Sequence, residues 1–356
     1  MAYTVAEISQ ALNIPYEGDG SIKIVSISSP KIAKPNQMVI ATSSKYIDEL
    51  KNTKALVAFM YNGADWKLLG LKAALLPDQP RLKMAKVFNM YDENGPLDPI
   101  IHNTAIIDPS AKIGKNVSIG AYCIIGKDVN IGNDSSLDTN ISIADSCSIG
   151  DNSLICSGVK ISSGVTIGSK FRCSYNTVIG SDGFSFVSSS DDNIKEIRRS
   201  LGKSRGANQS KYLRIASFGS VEIGNNVEIG SNCSIDSGTI KNTIVGNGTK
   251  IDNLVHIGHN VEIGTDTLLC GQVGIAGSAI IGDRVVLAGQ CGVGDHTKVG
   301  DDVIAGGATK IFSNIPKGRV VLGNPAMKMD ENIKVYKSLR RLPKFMNKFN
   351  QKKTIK

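Results

Sequence analysis

Ile113-Gly-Lys-Asn-Val-Ser-Ile119-Gly-Ala-Tyr-Cys-Ile-Ile125-Gly-Lys-Asp-Val-Asn-Ile131 carries an aliphatic residue at every sixth position. Gly follows each of the first three, and a smaller residue (Val117, Cys123, Val129) stands four positions on. The register extends back through Ile107 to Ile101 and forward through Leu137, Ile143, Ile149, Ile155, Ile161 and Ile167. After a gap it resumes at Ile223, Ile229 and Ile235, slips by four residues, and runs from Val245 through Ile257, Ile275 and Val293 to Ile311. Neither the period of about 3.6 of a helix nor the period of two of a half-buried strand gives this spacing. A six-residue unit of one short strand and one corner does. Three such units close a triangular coil of about eighteen residues, with the aliphatic side chains stacked inward from coil to coil. Gly after the anchor suits a corner that needs unusual backbone angles. Cys123, Cys147, Cys233 and Cys291 fall four positions after an anchor, where packing asks for a small side chain. The period leaves the hand of the coil open.

Residues 1–98 lack the repeat and read as a small α/β domain. Thr4 and Glu7 form a capping box before the apolar pair Ile8 and Leu12. Strand-like runs follow at Lys23–Ile27, Met38–Ala41, Ala55–Met60 and Lys72–Leu76, and Gly95-Pro96 marks a linker. The solenoid is expected over residues 99–325, with an inserted loop at 181–219. That loop opens on Gly180-Ser-Asp-Gly-Phe-Ser-Phe186, where Phe184 and Phe186 are candidates to pack on a bound chain, and continues through Lys203 and Arg205 as a flap. Pro316 and Gly323-Asn-Pro-Ala326 end the repeat. The tail, 326–356, reads as two short amphipathic helices, Ile333/Tyr336/Leu339 and Phe345/Met346/Phe349, broken at Pro343.

The 356 residues carry a formal net charge of +9. From Glu331 to Lys356 there are nine Lys or Arg and one acid, so nearly all the excess sits in the tail. A basic tail on a neutral body points to one acidic partner and away from nucleic acid. The seven cysteines include no CxxC pair and read as free thiols. No run approaches the ~18 apolar residues of a membrane span, and the first residues lack a leader pattern, so a cytoplasmic protein is expected.

Of the four histidines, His256, His259 and His296 lie late in the solenoid. His259, two positions after the anchor Ile257, should point outward, and a neutral imidazole on a rigid coil can serve as a general base. His296 follows by two coils and one residue, on nearly the same face and roughly 10 Å along the axis. Gly277, one coil after His259, can present a backbone N–H. With no nucleophile elbow, Walker loop or dinucleotide fingerprint, direct attack of an amine on a thioester is the economical chemistry. An acetyl-CoA-dependent sugar N-acetyltransferase, a zinc hydratase using the three histidines, and a non-enzymatic scaffold stay open at this point.

Lys250-Ile-Asp-Asn-Leu-Val-His-Ile-Gly-His-Asn260, Gln272-Val-Gly-Ile-Ala-Gly-Ser278 and Gly289-Gln-Cys-Gly-Val293 closely resemble the UDP-3-O-(3-hydroxyacyl)glucosamine N-acyltransferases of lipid A biosynthesis, as do Gly-Ser-Asp-Gly-Phe184 and Lys45-Tyr46. The resemblance implies a left-handed parallel β-helix, a homotrimer with sites between subunits, and no metal or tightly bound cofactor. It also implies His259 as general base, Gly277 as oxyanion donor, His296 as an assisting group, and Asp252 and Asn253 near the site. The N-terminal domain would hold the UDP-sugar through Ser43, Lys45 and Tyr46. The basic tail would dock acyl carrier protein, whose phosphopantetheine carries the acyl chain. Where the family has an aromatic residue three positions before an asparagine for uracil, this chain has Ile40 and Ser43, so base stacking there is not expected.

Overall fold

The computed structural model describes residues 2–92, 99–188, 200, 201, 203, 211–323 and 327–353, with side chains to 347 in the last stretch. The chain divides into two compact units, Met1–Gly95 and Pro96–Lys356.

In the first unit, strands Ser26–Ile27, Gln37–Ala41, Val57–Met60 and Ala73–Leu75 pair in parallel, and Tyr16–Gly18 closes the sheet antiparallel to Ala73–Leu75. Side chains alternate between two apolar layers. Met38, Val57 and Phe59 pack with Val5, Ile8 and Val87, while Val39, Ala58 and Met60 pack with Leu50 and Trp66. Both faces are covered, which is why the central strands are almost wholly apolar. Helix Val5–Leu12 begins with the expected capping box: the Glu7 N–H donates to Thr4 Oγ1 at 3.1 Å, and the Thr4 N–H to Glu7 Oε2 at 2.7 Å. A second helix, Pro80–Met90, has proline in its first turn.

The second unit is a parallel β-helix with sheets of ten, ten and nine short strands. Ile113 pairs with Ile131, and Ile131 with Ile149, eighteen residues on each time. From Ile119 onward the anchors form one continuous buried column, together with the residues four positions after them. Fully burying such a side chain is worth about 1.5–3 kcal/mol, so the repeated column, with the coil-to-coil hydrogen bonds, holds the solenoid together. All seven cysteines are free, and Cys123, Cys147, Cys233 and Cys291 are buried at the expected positions.

The glycine after each anchor is there for a different reason from the one expected. Left-handed backbone falls two residues later, at Asn116 (φ 55°), Asp134 (56°), Asn152 (58°) and Asn260 (60°), residue types that tolerate it. Gly114 has ordinary backbone, but a Cβ on it would lie 2.7 Å from the Asn133 nitrogen and the Gly132 carbonyl carbon of the next coil. Close approach of successive coils requires it.

The tail also departs from expectation. Met329–Lys353 is one helix that runs through Pro343. Good helix formers flank the proline on both sides, and a proline removes one backbone hydrogen bond without ending a helix whose flanks favour it. Ile333, Tyr336, Leu339, Phe345 and Met346 are exposed along it. No helix among the described residues is long and apolar enough to cross a membrane. Gly95-Pro96, Arg205, Phe349 and Asn324-Pro-Ala326 lie outside the residues or side chains described.

Candidate active site

Three irregularities in the repeat meet at one corner. The first is the pair of residues that follow strand His256–Ile257. Along one edge of the solenoid, and only occasionally along the other two, the side chain two positions after an anchor accepts the N–H of its equivalent one coil earlier: Asn133 N–H to Asp151 Oδ1 at 2.7 Å and Thr265 N–H to Asp283 Oδ1 at 2.7 Å, and, on the edge that carries His259, Lys127 N–H to Asp145 Oδ1 at 2.8 Å. At the corner of His259 the next coil supplies Gly277, which has no side chain to offer. The imidazole occupies that space. A Cβ on Gly277 would stand 2.6 Å from His259 Nε2 and 2.7 Å from Cε1. Gly277 has ordinary backbone, so it is a glycine for room. Among the described residues its N–H has no partner.

The second irregularity is the four-residue slip. Ile235 and Val245 are ten residues apart where six is the rule, and the extra chain folds back over the corner. Thr239 N–H donates to Asn260 Oδ1 at 3.0 Å, and Asn260 Nδ2 donates to the Lys241 carbonyl at 3.1 Å. Asn260 Oδ1 lies 3.0 Å from His259 Nδ1. The third is the long insertion. It leaves the solenoid after strand Val178–Ser181, makes a hairpin of Phe186–Ser188 with Tyr212–Arg214, and returns with the Phe218 and Gly219 N–H groups bonded to the Thr239 and Gly238 carbonyls. Its Gly183 lies against the other side of His259, where a Cβ would be 2.6 Å from His259 Cβ. Asp236 is buried beside this junction, accepts from Ser181 Oγ at 2.9 Å, and lies 3.7 Å from His256 Nε2.

His296 lies on the same corner one coil beyond Gly277, whose carbonyl accepts the His296 N–H at 3.2 Å. It is exposed, with φ 55°. His259, Gly277 and His296 thus follow one another along the axis. Asp252 and Asn253 belong to the preceding corner of the coil and, among the described residues, make no hydrogen bond or ion pair with His259. They border a cavity of about 580 Å³ with Leu254, Gly271, Gln272 and Gln290. Asn253 has a structural task as well, accepting the Ser231 N–H at 2.7 Å. Phe184 is exposed, its ring centroid 4.9 Å from that of Phe186, over which the Arg214 guanidinium sits at 4.7 Å. Among the described residues no three His, Cys, Asp or Glu side chains gather as metal ligands.

In the N-terminal unit, Ser43, Lys45 and Tyr46 line one cavity of about 630 Å³ with Ile40, Thr42, Glu49, Arg81 and Met84. Among the described residues, Ser43 Oγ is buried there without a partner. Arg81 escaped the sequence reading because it enters from the first turn of Pro80–Met90, far along the chain. Asn260, Gly183 and the slip residues escaped it too. The slip itself was the visible signal.

No protein-family model matches the chain. A UDP-3-O-acylglucosamine N-acyltransferase of Ruegeria pomeroyi is 46% identical over 275 residues, 77% of this chain and 76% of that protein. One from Paracoccus denitrificans is 49% identical over 278 residues, covering 78% and 76%. UDP-3-O-acylglucosamine N-acyltransferase 1 of Francisella tularensis is 38% identical over 281 residues, covering 78% and 76%. An Arabidopsis UDP-N-acetylglucosamine acyltransferase structure matches with a TM-score of 0.54 at 24% identity, covering 63% of this chain and 71% of that one, a likeness of fold alone. The second unit is accordingly a left-handed parallel β-helix. Sequence identity over three quarters of both chains makes this protein a member of the UDP-3-O-acylglucosamine N-acyltransferase family.

Proposed function

We propose that the protein transfers a 3-hydroxyacyl chain from acyl carrier protein to the 2-amino group of a UDP-3-O-(3-hydroxyacyl)glucosamine, a step of lipid A biosynthesis. The observation that carries this reading is the corner where His259 Nε2 lies over Gly277, whose N–H is uncommitted among the described residues. In the reaction, Nε2 takes a proton from the amine as its nitrogen attacks the thioester carbonyl. The tetrahedral oxyanion accepts the Gly277 N–H, a donor already aimed and needing no reorganisation, with His296 assisting. Collapse breaks the C–S bond, and the imidazolium returns its proton to the departing phosphopantetheine thiolate. Six cysteines are held as neutral thiols by burial, which favours direct attack over an acyl-enzyme. Phosphopantetheine enters with the donor, and no tightly bound cofactor is required.

The cavity of Ser43, Lys45, Tyr46 and Arg81 suits the UDP moiety, with two cations and a buried hydroxyl that has no partner among the described residues for its phosphates and sugar. The exposed basic helix 329–353 suits an acidic carrier protein. In a homotrimer, the Asp252–Asn253 corner of one copy would complete the His259 corner of the next. Replacing His259 by Ala should lower turnover by ~10²–10⁴-fold with the fold intact; a variant at full rate would remove His259 from the mechanism.

A further inference from the structure

The geometry around His259 assigns a role to its neighbour: we propose that Asn260 is a positioning residue that holds the imidazole proton on Nδ1 and so presents Nε2 as the basic atom. This rests on the reading of His259 as the base.

The orientation of the Asn260 amide is decided by its partners. Nδ2 faces the Lys241 carbonyl at 3.1 Å and Oδ1 faces the Thr239 N–H at 3.0 Å. A flipped amide would set donor against donor and acceptor against acceptor. Oδ1 is therefore the atom 3.0 Å from His259 Nδ1, and since an amide oxygen only accepts, the proton of the neutral ring belongs on Nδ1. The ring itself is packed against Gly183 and Gly277: a Cβ on Gly277 would come 2.6 Å from Nε2, and one on Gly183 3.0 Å from Cδ2. That fixes its plane but not which edge faces the substrate, because turning the ring over exchanges Nδ1 with Cδ2 in almost the same volume. Asn260 makes the choice.

Asn260 is in turn over-determined. Its backbone is left-handed at φ 60°, and its N–H donates to Oγ1 of the fully buried Thr243 at 2.9 Å. Thr239 and Lys241, which clamp the amide, belong to the slip that breaks the hexapeptide register. The extra four residues thus have a function: they carry main-chain groups to the one amide that sets the tautomer.

Asn260→Gly and Asn260→Asp both accommodate φ 60°, so neither strains the backbone. In Asn260→Gly, kcat should fall by about 10- to 10³-fold, less than for loss of the base itself, with KM for the UDP-sugar near wild type. Nitrogen-15 spectra of labelled histidine should show the His259 Nδ1–H tautomer in the wild-type protein and a mixture in the glycine variant. Asn260→Asp keeps an acceptor facing Nδ1 and should recover part of the rate, with the acid limb of the kcat/KM profile moved to higher pH by the added carboxylate. Wild-type kcat and an unchanged tautomer in both variants, beside an inactive His259→Ala, would overturn the proposal and leave the base assignment standing. A fully active His259→Ala would overturn both.

Discussion

His259 Nε2 stands directly over Gly277, 2.6 Å from where a side chain on that glycine would begin. Where Asp145 ties its corner to the coil before, Gly277 offers no side chain, and the space holds an imidazole beside an N–H that has no partner among the described residues. Gly277→Ala follows as the sharpest probe of the arrangement. The added methyl should push the ring off its Asn260 contact and lower kcat by ~10²–10³-fold, comparable to losing an oxyanion donor. The corner is half-buried at the solenoid surface, so the melting temperature should hardly move. Steady-state rates alongside a thermal melt check both halves.

The N-terminal cavity makes a separable prediction. Arg81 and the buried Ser43 hydroxyl share a lining with Lys45 and Tyr46. Arg81→Ala should raise KM for the UDP-sugar by about tenfold or more, the size of a lost charge-assisted hydrogen bond, with kcat little changed. An unchanged KM would take Arg81 out of the nucleotide site.

The cysteines test the solenoid core. Burial raises the thiols of Cys123, Cys147, Cys156, Cys173, Cys233 and Cys291 above the ordinary thiol range. Below about pH 8.5, thiols are protonated in folded and unfolded chains alike, and their full contribution to stability is present. As the pH rises further, the unfolded chain releases its protons first and stability falls. Urea midpoints measured from pH 7 to pH 10 should therefore decline at the alkaline end, and replacing Cys173 with Ala or Ser should flatten part of that decline. In the native protein at pH 7.5, mass spectrometry should find Cys173 unalkylated after treatment that modifies every cysteine in urea.

The tail gives a prediction about the donor. Ending the chain at residue 328 removes the basic helix 329–353 and should raise KM for acyl carrier protein thioesters. It should also weaken the salt dependence of that KM, since the attraction it removes is screened over about 8–10 Å at moderate ionic strength. Equal KM values and salt slopes for the two chains would show that the carrier protein docks elsewhere.

The periodic part of this fold was legible because its physics repeats. One inward aliphatic per six residues on either side of the insertion, buried from Ile119 to Ile311, leaves no other economical way to bury the side chains. His259 was visible as an outward residue for the same reason: its distance from Ile257 set its direction. The glycines misled in their cause. Gly114 and its equivalents mark where coils touch, whereas the strained angles fall at Asn116 and Asn152, a distinction that needs coordinates. The helix through Pro343 shows local propensity on both flanks overriding a single breaker. What lay outside a reading of periodicity was whatever departs from it. Asn260 gets its role from Thr239 and Lys241 in the slip, Gly183 from an insertion that folds back across the corner, and Arg81 from a helix far along the chain. None of these has a fixed spacing to the residue it serves.

The account stands most directly on a mass-resolved transfer assay with the purified protein, UDP-3-O-(3-hydroxyacyl)glucosamine, a panel of 3-hydroxyacyl carrier proteins and acetyl-CoA, run with wild type and His259→Ala. An amide-linked hydroxyacyl product formed from the carrier-bound donors alone, and lost with His259, is the predicted result. Turnover of acetyl-CoA in preference to every carrier-bound donor, or undiminished product from His259→Ala, would contradict it.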